Sequence, residues 1–309
     1  MNRTFDLGAA TPRLILRMVG GGLHRTVTRK HRALAQQAAA ARFPGQLRLV
    51  ADRSLFPRSR GSEFTFAFLG DGDAVVRLRI EQGTDVGAAL DQAVDTARTA
   101  AAELRRQLTV LATHGFPVIG LDQRPWLAVD LTDDNVAEYL LAIGAAVADW
   151  TTAAVDVVIT SPGVAARAPD HDTLPTPLRL GHPGRLRVLT AAPAFVAHYP
   201  AGGGDPTLTV SRSYEPRVVF EERVFASATT WLHRTRPEAV VLQVFGAWTL
   251  PPGQVTRSAG VVLFADHPTS RPRPEHALSV VVDQNGNLVD IPTIHERVRD
   301  DRGVVHLPS

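Results

Sequence analysis

The sequence contains no cysteine, which removes disulfide frameworks, thiolate metal sites and cysteine nucleophiles together. Lysine is nearly absent as well: of 33 basic residues only Lys30 is lysine. With alanine abundant, that bias matches the codon usage of a GC-rich bacterial genome, so arginine enrichment is not in itself a phosphate-binding signal. Long apolar runs are missing too. The nearest, Leu14-Ile15-Leu16-Arg17-Met18-Val19, is cut by Arg17 and followed by Gly20-Gly21-Gly22, far short of the ~20 residues of a spanning helix. Its short, charged apolar region also makes a poor export signal. The expectation is a soluble, cytoplasmic protein. No G-x-x-x-x-G-K-[ST], G-x-G-x-x-G or G-x-S-x-G motif occurs, which disfavours nucleotide hydrolysis, dinucleotide redox chemistry and serine-hydrolase catalysis on those scaffolds. No cofactor is expected.

What is present is ordinary globular material: 309 residues, 44% hydrophobic and 21% charged, enough for two domains with their own cores. Charge is distributed unevenly. Residues 1–60 hold twelve Arg/Lys against Asp6 and Asp52, while the rest of the chain has 21 basic and 29 acidic residues. A basic N-terminal arm therefore precedes a mildly acidic body. Arg13, Arg17, Arg25, Arg29, Lys30 and Arg32 are its candidate anion-binding residues. Nucleic acid, an anionic membrane surface and the protein's own body are the alternatives for what it meets, and docking on the body or disorder is the favoured one.

Periodicity along the chain gives the elements. Leu23–Phe43 reads as a helix stopped by Pro44-Gly45. Alternation predicts strands around Leu47–Ala51, Phe64–Phe68 and Val75–Ile80, the last two joined as a hairpin. A three-residue loop, Asp71 to Asp73, would set Phe64, Phe66 and Phe68 opposite Ile80, Leu78 and Val76, with Arg77 and Arg79 on the other face. A long helix follows, capped by Thr84 or Asp85, with Leu90, Val94, Ala97, Ala101, Leu104, Leu108 and Leu111 as its buried stripe and Gly115 as its C-cap. Strands at Pro117–Leu121 and Trp126–Leu131 precede a helix whose Asn135 and Glu138 resemble a capping box. Val155–Thr160 closes this part.

Five prolines between Ser161 and Arg185 predict an interdomain linker. Beyond it, strands are expected at Leu186–Leu189, Phe195–Tyr199 and Leu208–Val210, and a helix at Arg217–Arg234. Strands follow at Ala239–Trp248, Gly260–Ala265, Ala277–Asp283 and Asn287–Ile291, the last two meeting at Asn285-Gly286 as a type I′ hairpin. The predicted organisation is an arm (1–44), a first domain (45–160), a linker (161–185), a second domain (186–298) and a tail (299–309). The fold class is α+β, each domain packing antiparallel strands on one or two amphipathic helices. In element order the second domain resembles cystatin-like and NTF2-like folds, an analogy no motif supports.

Chemistry-bearing motifs are sparse. Asp283-Gln284-Asn285-Gly286-Asn287 resembles the start of a calcium loop, but Leu288 and Ile294 stand where an EF-hand needs Gly and Glu, so a hairpin turn is the better reading. Arg60-Gly61 before Phe64 and Phe66 resembles an RNA-binding consensus, with Ser62 and Ala67 where aromatics belong. Asp170-His171-Asp172 lacks a completing ligand, His233, His267, His276 and His295 are scattered, and Glu221-Glu222 is explained by the helix dipole. No metal site is expected. The expected function is a non-enzymatic binding or scaffold role, with a protein as one candidate partner. The alternatives are an enzyme or ligand binder with a pocket between the second domain's helix and curved sheet, and anionic-partner binding through the arm.

Overall fold

Alternating apolar residues build a small antiparallel sheet of order β1-β2-β3 from Leu47–Ser54 (β1), Ser62–Phe68 (β2) and Val75–Ile80 (β3). The computed structural model describes residues 11–300 and 302–307, with side chains from residue 27 onward apart from 214, 215, 246, 247, 301, 308 and 309. Phe64, Phe66, Val76, Leu78 and Ile80 form one buried face of the sheet. Two helices contribute to the same core, α1 (Thr11–Arg42) through Ala35 and Ala39, and α2 (Val86–Thr113) through Leu90, Val94 and Ala97. The N-terminal half of the α2 stripe thus packs on this sheet. Asp85 caps this helix, its Oδ1 accepting from the Gly87 and Ala88 amides at 3.0 and 3.1 Å. Gly115, at φ +85°, ends it as expected.

The hairpin register differs from the expectation. Phe66 lies across from Val76, and Phe64 across from Leu78, two residues along from the predicted pairing. A shift of two preserves the faces, so the phenylalanines stay inside and Arg77 stays exposed. The cause is a longer loop: the Phe68 amide donates to Ala74 at 3.3 Å, and Asp71 accepts from the Asp73 amide and from Arg105 of α2. Both phenylalanines are at most 1% exposed, which withdraws them from any role in stacking on RNA bases.

A mixed sheet of order β12-β11-β10-β9-β8-β7-β6-β5-β4 carries the rest. Val118–Leu121 (β4) and Pro125–Ala128 (β5) form a hairpin. Helix α3 (Val136–Trp150) then crosses over to Val155–Thr160 (β6), which pairs parallel with β5. Along β6, Val157 and Ile159 face α3 while Val158 faces the opposite side, so both sheet faces are covered here and the strand is apolar almost throughout. Asn135 does not close a capping box. Its side chain turns back to accept from the Thr132 amide at 2.8 Å and to donate to the Asp130 carbonyl at 3.0 Å.

The proline-rich segment is where the structure most corrects the sequence reading. It holds Pro162–Ala165 (α4), Thr176–Leu180 (α5) and Pro183–Leu189 (α6), the last where a strand was expected. Pro162 and Pro183 open their helices, after Ser161 and His182 as N-caps, a position that proline favours because its missing N–H would be unpaired there anyway. On either side of the segment β6 pairs antiparallel with Ala194–Tyr199 (β7), so one sheet runs across the expected linker. The compact units divide elsewhere. One comprises the chain as far as Gln107 together with His171–Arg179, and the other holds Leu108–Asp170 and everything from Leu180 onward. In the first unit, Thr176 donates its amide to Gly72 at 2.8 Å and Arg48 donates to the Thr173 carbonyl.

Beyond β7 come Thr207–Ser211 (β8), helix α7 (Tyr214–Thr235), and strands Val240–Thr249 (β9), Arg257–Ala265 (β10), His276–Asp283 (β11) and Thr293–His295 (β12). Between β8 and β9 the pairing described joins Thr209 to Thr249. Residues 287–291 make only a bridge, Val282 to Leu288, rather than the expected strand. Gly286 takes φ +88° but Asn285 does not take positive φ, so the turn is not type I′. The expected tail is also partly structured: Arg299 and Val305 form an antiparallel bridge, and His306 donates its amide to the Val298 carbonyl at 2.7 Å.

Candidate functional site

The six basic residues proposed for the arm fall on α1. The side chains of Arg13, Arg17 and Arg25 lie outside the described residues. Arg29 and Lys30 are exposed, and Arg32 stands 3.8 Å from Asp52 of β1. The described end of this helix is seated on the small sheet, with His31 meeting the Ser62 hydroxyl at 3.2 Å and Ser62 reaching Thr28 at 3.3 Å.

The expected pocket between the second helix and its sheet is filled. Phe220, Val224, Ala228 and Leu232 of α7 close on Val262, Phe264, Leu278 and Val280. Phe220 meets Trp248 edge-on with ring centroids 5.0 Å apart. Beside that packed interface a notch of about 590 Å³ remains, lined by Thr230, Trp231, Leu288 and Ile291, and a further opening lies beside α3, within the second unit. A cavity of about 470 Å³ opens between the C-terminal half of α3 and the loop that follows β7. Short side chains create it: Gly144, Ala145 and Ala148 line the helix wall, and a Cβ at position 144 would come within 3.2 Å of the Tyr199 ring. Across from them Gly202, Gly203 and Gly204 run at φ +77°, +87° and +141°, a path open only to glycine at low cost. The Gly202 amide ties this rim to the Thr152 carbonyl at 3.2 Å.

The cavity is lined mainly by apolar side chains. Tyr199, mostly buried, donates its hydroxyl to the Leu140 carbonyl at 3.1 Å, and burial pushes its pKa up, so the phenol keeps its proton. Among the described lining residues Asp205 is the one carboxylate, and there is no histidine, lysine or arginine. Leu141, 70% exposed, stands at the lip. Cavities of this size, largely apolar with a few polar groups, are typical of small-ligand sites.

The histidines singled out in the sequence are each engaged in local structure. His233 meets the Ala239 carbonyl at 3.0 Å, His267 meets Glu238 at 2.9 Å and His295 meets the Ser279 hydroxyl at 2.9 Å. His276, buried at the start of β11, lies between Asp266 at 3.0 Å and Glu296 at 2.7 Å, and Arg236 bridges the same two carboxylates. That network ties the segment after β12 to the sheet. Asp170 pairs with Arg185 at 3.8 Å, and Glu221 lies 3.9 Å from Arg217. Among the described residues no cluster of three or more His, Asp or Glu could hold a metal ion, and no helix is long and apolar enough to cross a membrane.

Sequence reasoning missed the cavity. Its signal was the pairing of the small residues Gly144, Ala145 and Ala148 on one helix with Gly202-Gly203-Gly204 after a strand, two groups that only the topology brings together. Comparisons with protein-family models, with curated proteins and with solved structures found no match.

Proposed function

We propose that this chain is a non-enzymatic binding protein whose ligand is a small, mainly apolar molecule seated between α3 and the glycine loop 202–204. The carrying observation is the cavity itself: about 470 Å³, walled by small and apolar residues. Asp205 at the polar end favours a neutral or cationic head group over a carboxylate. The filled interface beneath α7 supports binding elsewhere rather than a catalytic cleft in that place.

Titration with a neutral solvatochromic dye, and competition with dodecylamine and dodecanoate, tests the reading. Expected are saturable dye binding and displacement by the amine at least tenfold better than by the fatty acid. Ala148→Phe, which fills the cavity from the exposed side of α3, should abolish the signal and leave the circular dichroism unchanged. Dye binding that survives Ala148→Phe would defeat the proposal.

A further inference from the structure

We propose that a second notch, beside the first turns of α7, binds a small oxyanion, a carboxylate or phosphate group, between Arg212 and Arg223. The notch measures about 310 Å³, and its wall includes Phe220, Gln284 and Asn285 together with the apolar Pro193, Pro216 and Val219. It shares no residue with the cavity beside α3.

Arg212 follows β8 directly, and its guanidinium carbon lies 3.8 Å from the centroid of the Phe220 ring. Its Nε is sealed from solvent and has no hydrogen-bond acceptor among the described residues. Neither Arg212 nor Arg223 forms an ion pair among the described residues. Glu221 supplies an opposing charge to Arg212 but stands at salt-bridge distance from Arg217 instead. Burial, opposed by the Glu221 charge, lowers the Arg212 pKa, yet a guanidinium does not give up its proton near neutrality. A partly desolvated cation whose buried Nε–H lacks an acceptor is a costly feature unless something pairs with it. The planar fork of an arginine matches a carboxylate or phosphate, and a second arginine facing the same space matches the remaining oxygen atoms.

The opposite wall is held in place. Asp283 Oδ1 accepts from the Asn285 and Asn287 amides at 2.8 and 2.9 Å, fixing the turn that carries Gln284 and Asn285. A Cβ at Gly286 would come within 2.8 Å of the Phe220 carbonyl and 3.2 Å of Arg223 Cβ, so only glycine lets the turn sit this close to α7. The volume admits one head group with a short apolar body against Phe220, which points to a small molecule rather than a polymer.

Calorimetry and thermal shift on the full chain with sodium phosphate, sodium acetate and sodium benzoate, each against sodium chloride at equal ionic strength, test this. Saturable binding of at least one oxyanion above the chloride control is expected. Tighter phosphate binding would assign a phosphate ester, and tighter benzoate than acetate binding would assign a carboxylate with an apolar body. Arg223→Gln, on an exposed position, and Arg212→Met should each weaken binding at least tenfold. If Arg212→Met fails to fold, Arg223→Gln decides alone. The proposal is overturned by oxyanion effects no larger than chloride's or by unchanged affinity in Arg223→Gln.

Discussion

Gly260 of β10 lies directly beneath the indole of Trp248: a Cβ at position 260 would come within 2.4 Å of the ring. Trp248 in turn buttresses Phe220 of α7, so the glycine sets how closely helix and sheet approach. Gly260→Ala should destabilise the protein by about 1–3 kcal/mol, the usual penalty of overpacking a filled core. Gly163→Ala, at a position with open space around it, should change stability by less than about 0.5 kcal/mol, as surface substitutions do. Urea denaturation of the two variants checks the contrast, and equal effects would refute it.

Asp133, in the loop before α3, accepts from the Val255 and Thr256 amides at 2.6 and 3.1 Å and from the Thr256 hydroxyl at 2.6 Å. Asp133→Ala removes the acceptor for all of these and should cost about 2 kcal/mol, in the range for hydrogen bonds to a charged group. Thr256→Val removes only the hydroxyl contact and should cost less than half as much. A Thr256→Val effect as large as that of Asp133→Ala would contradict the assignment.

Acid should loosen the C-terminal segment selectively. Partial burial raises the Asp266 pKa, but the hydrogen bond from Arg236 and the charges of His276 and Arg236 outweigh it and hold the carboxyl below its ordinary range. Asp300 is held low as well, by His306 and the Val304 amide. A carboxylate with a depressed folded pKa contributes stability that is present above the unfolded value, ~3.9, and is lost as pH falls through the folded value. The protection of residues 293–307 against hydrogen exchange, taken relative to the intrinsic rate at each pH, should therefore fall between about pH 4 and pH 2. At pH 6, Asp266→Asn should reproduce part of that change. A uniform loss of protection across the chain would argue against it.

A fragment ending at residue 160 should not fold to a native state. β6 would lose its partner β7 and the cover of α6, exposing Val158 and an unpaired edge. Dispersed amide NMR signals from such a fragment would show that the sheet does not need its second half.

Local pattern was legible in the sequence; distances between separated segments were not. Alternation assigned Phe64 and Phe66 to the core and Arg77 to solvent, because the face of a strand follows from parity alone. The register was missed by two, since it depends on how Asp71 is held by Arg105 across the fold. Prolines were counted as linker although Pro162 and Pro183 open short helices, a distinction that requires the N-cap geometry. Neither site could be read in advance. Gly144 and Gly202 are separated by a crossover, and Arg212 and Gln284 by most of the second half of the sheet.

The excursion of residues 171–179 bears on how the chain is made. A ribosome delivers the small sheet early, yet the partners that Gly72 and Arg48 engage, Thr176 and Thr173, emerge only after β4, β5, α3 and β6 have left the exit tunnel. Domains generally complete themselves as units in the order of synthesis, but here the N-terminal part is finished by a piece of chain delivered in the middle of its neighbour. A stall or truncation before residue 171 would thus leave the earliest part of the protein incomplete, although every one of its strands had already been translated.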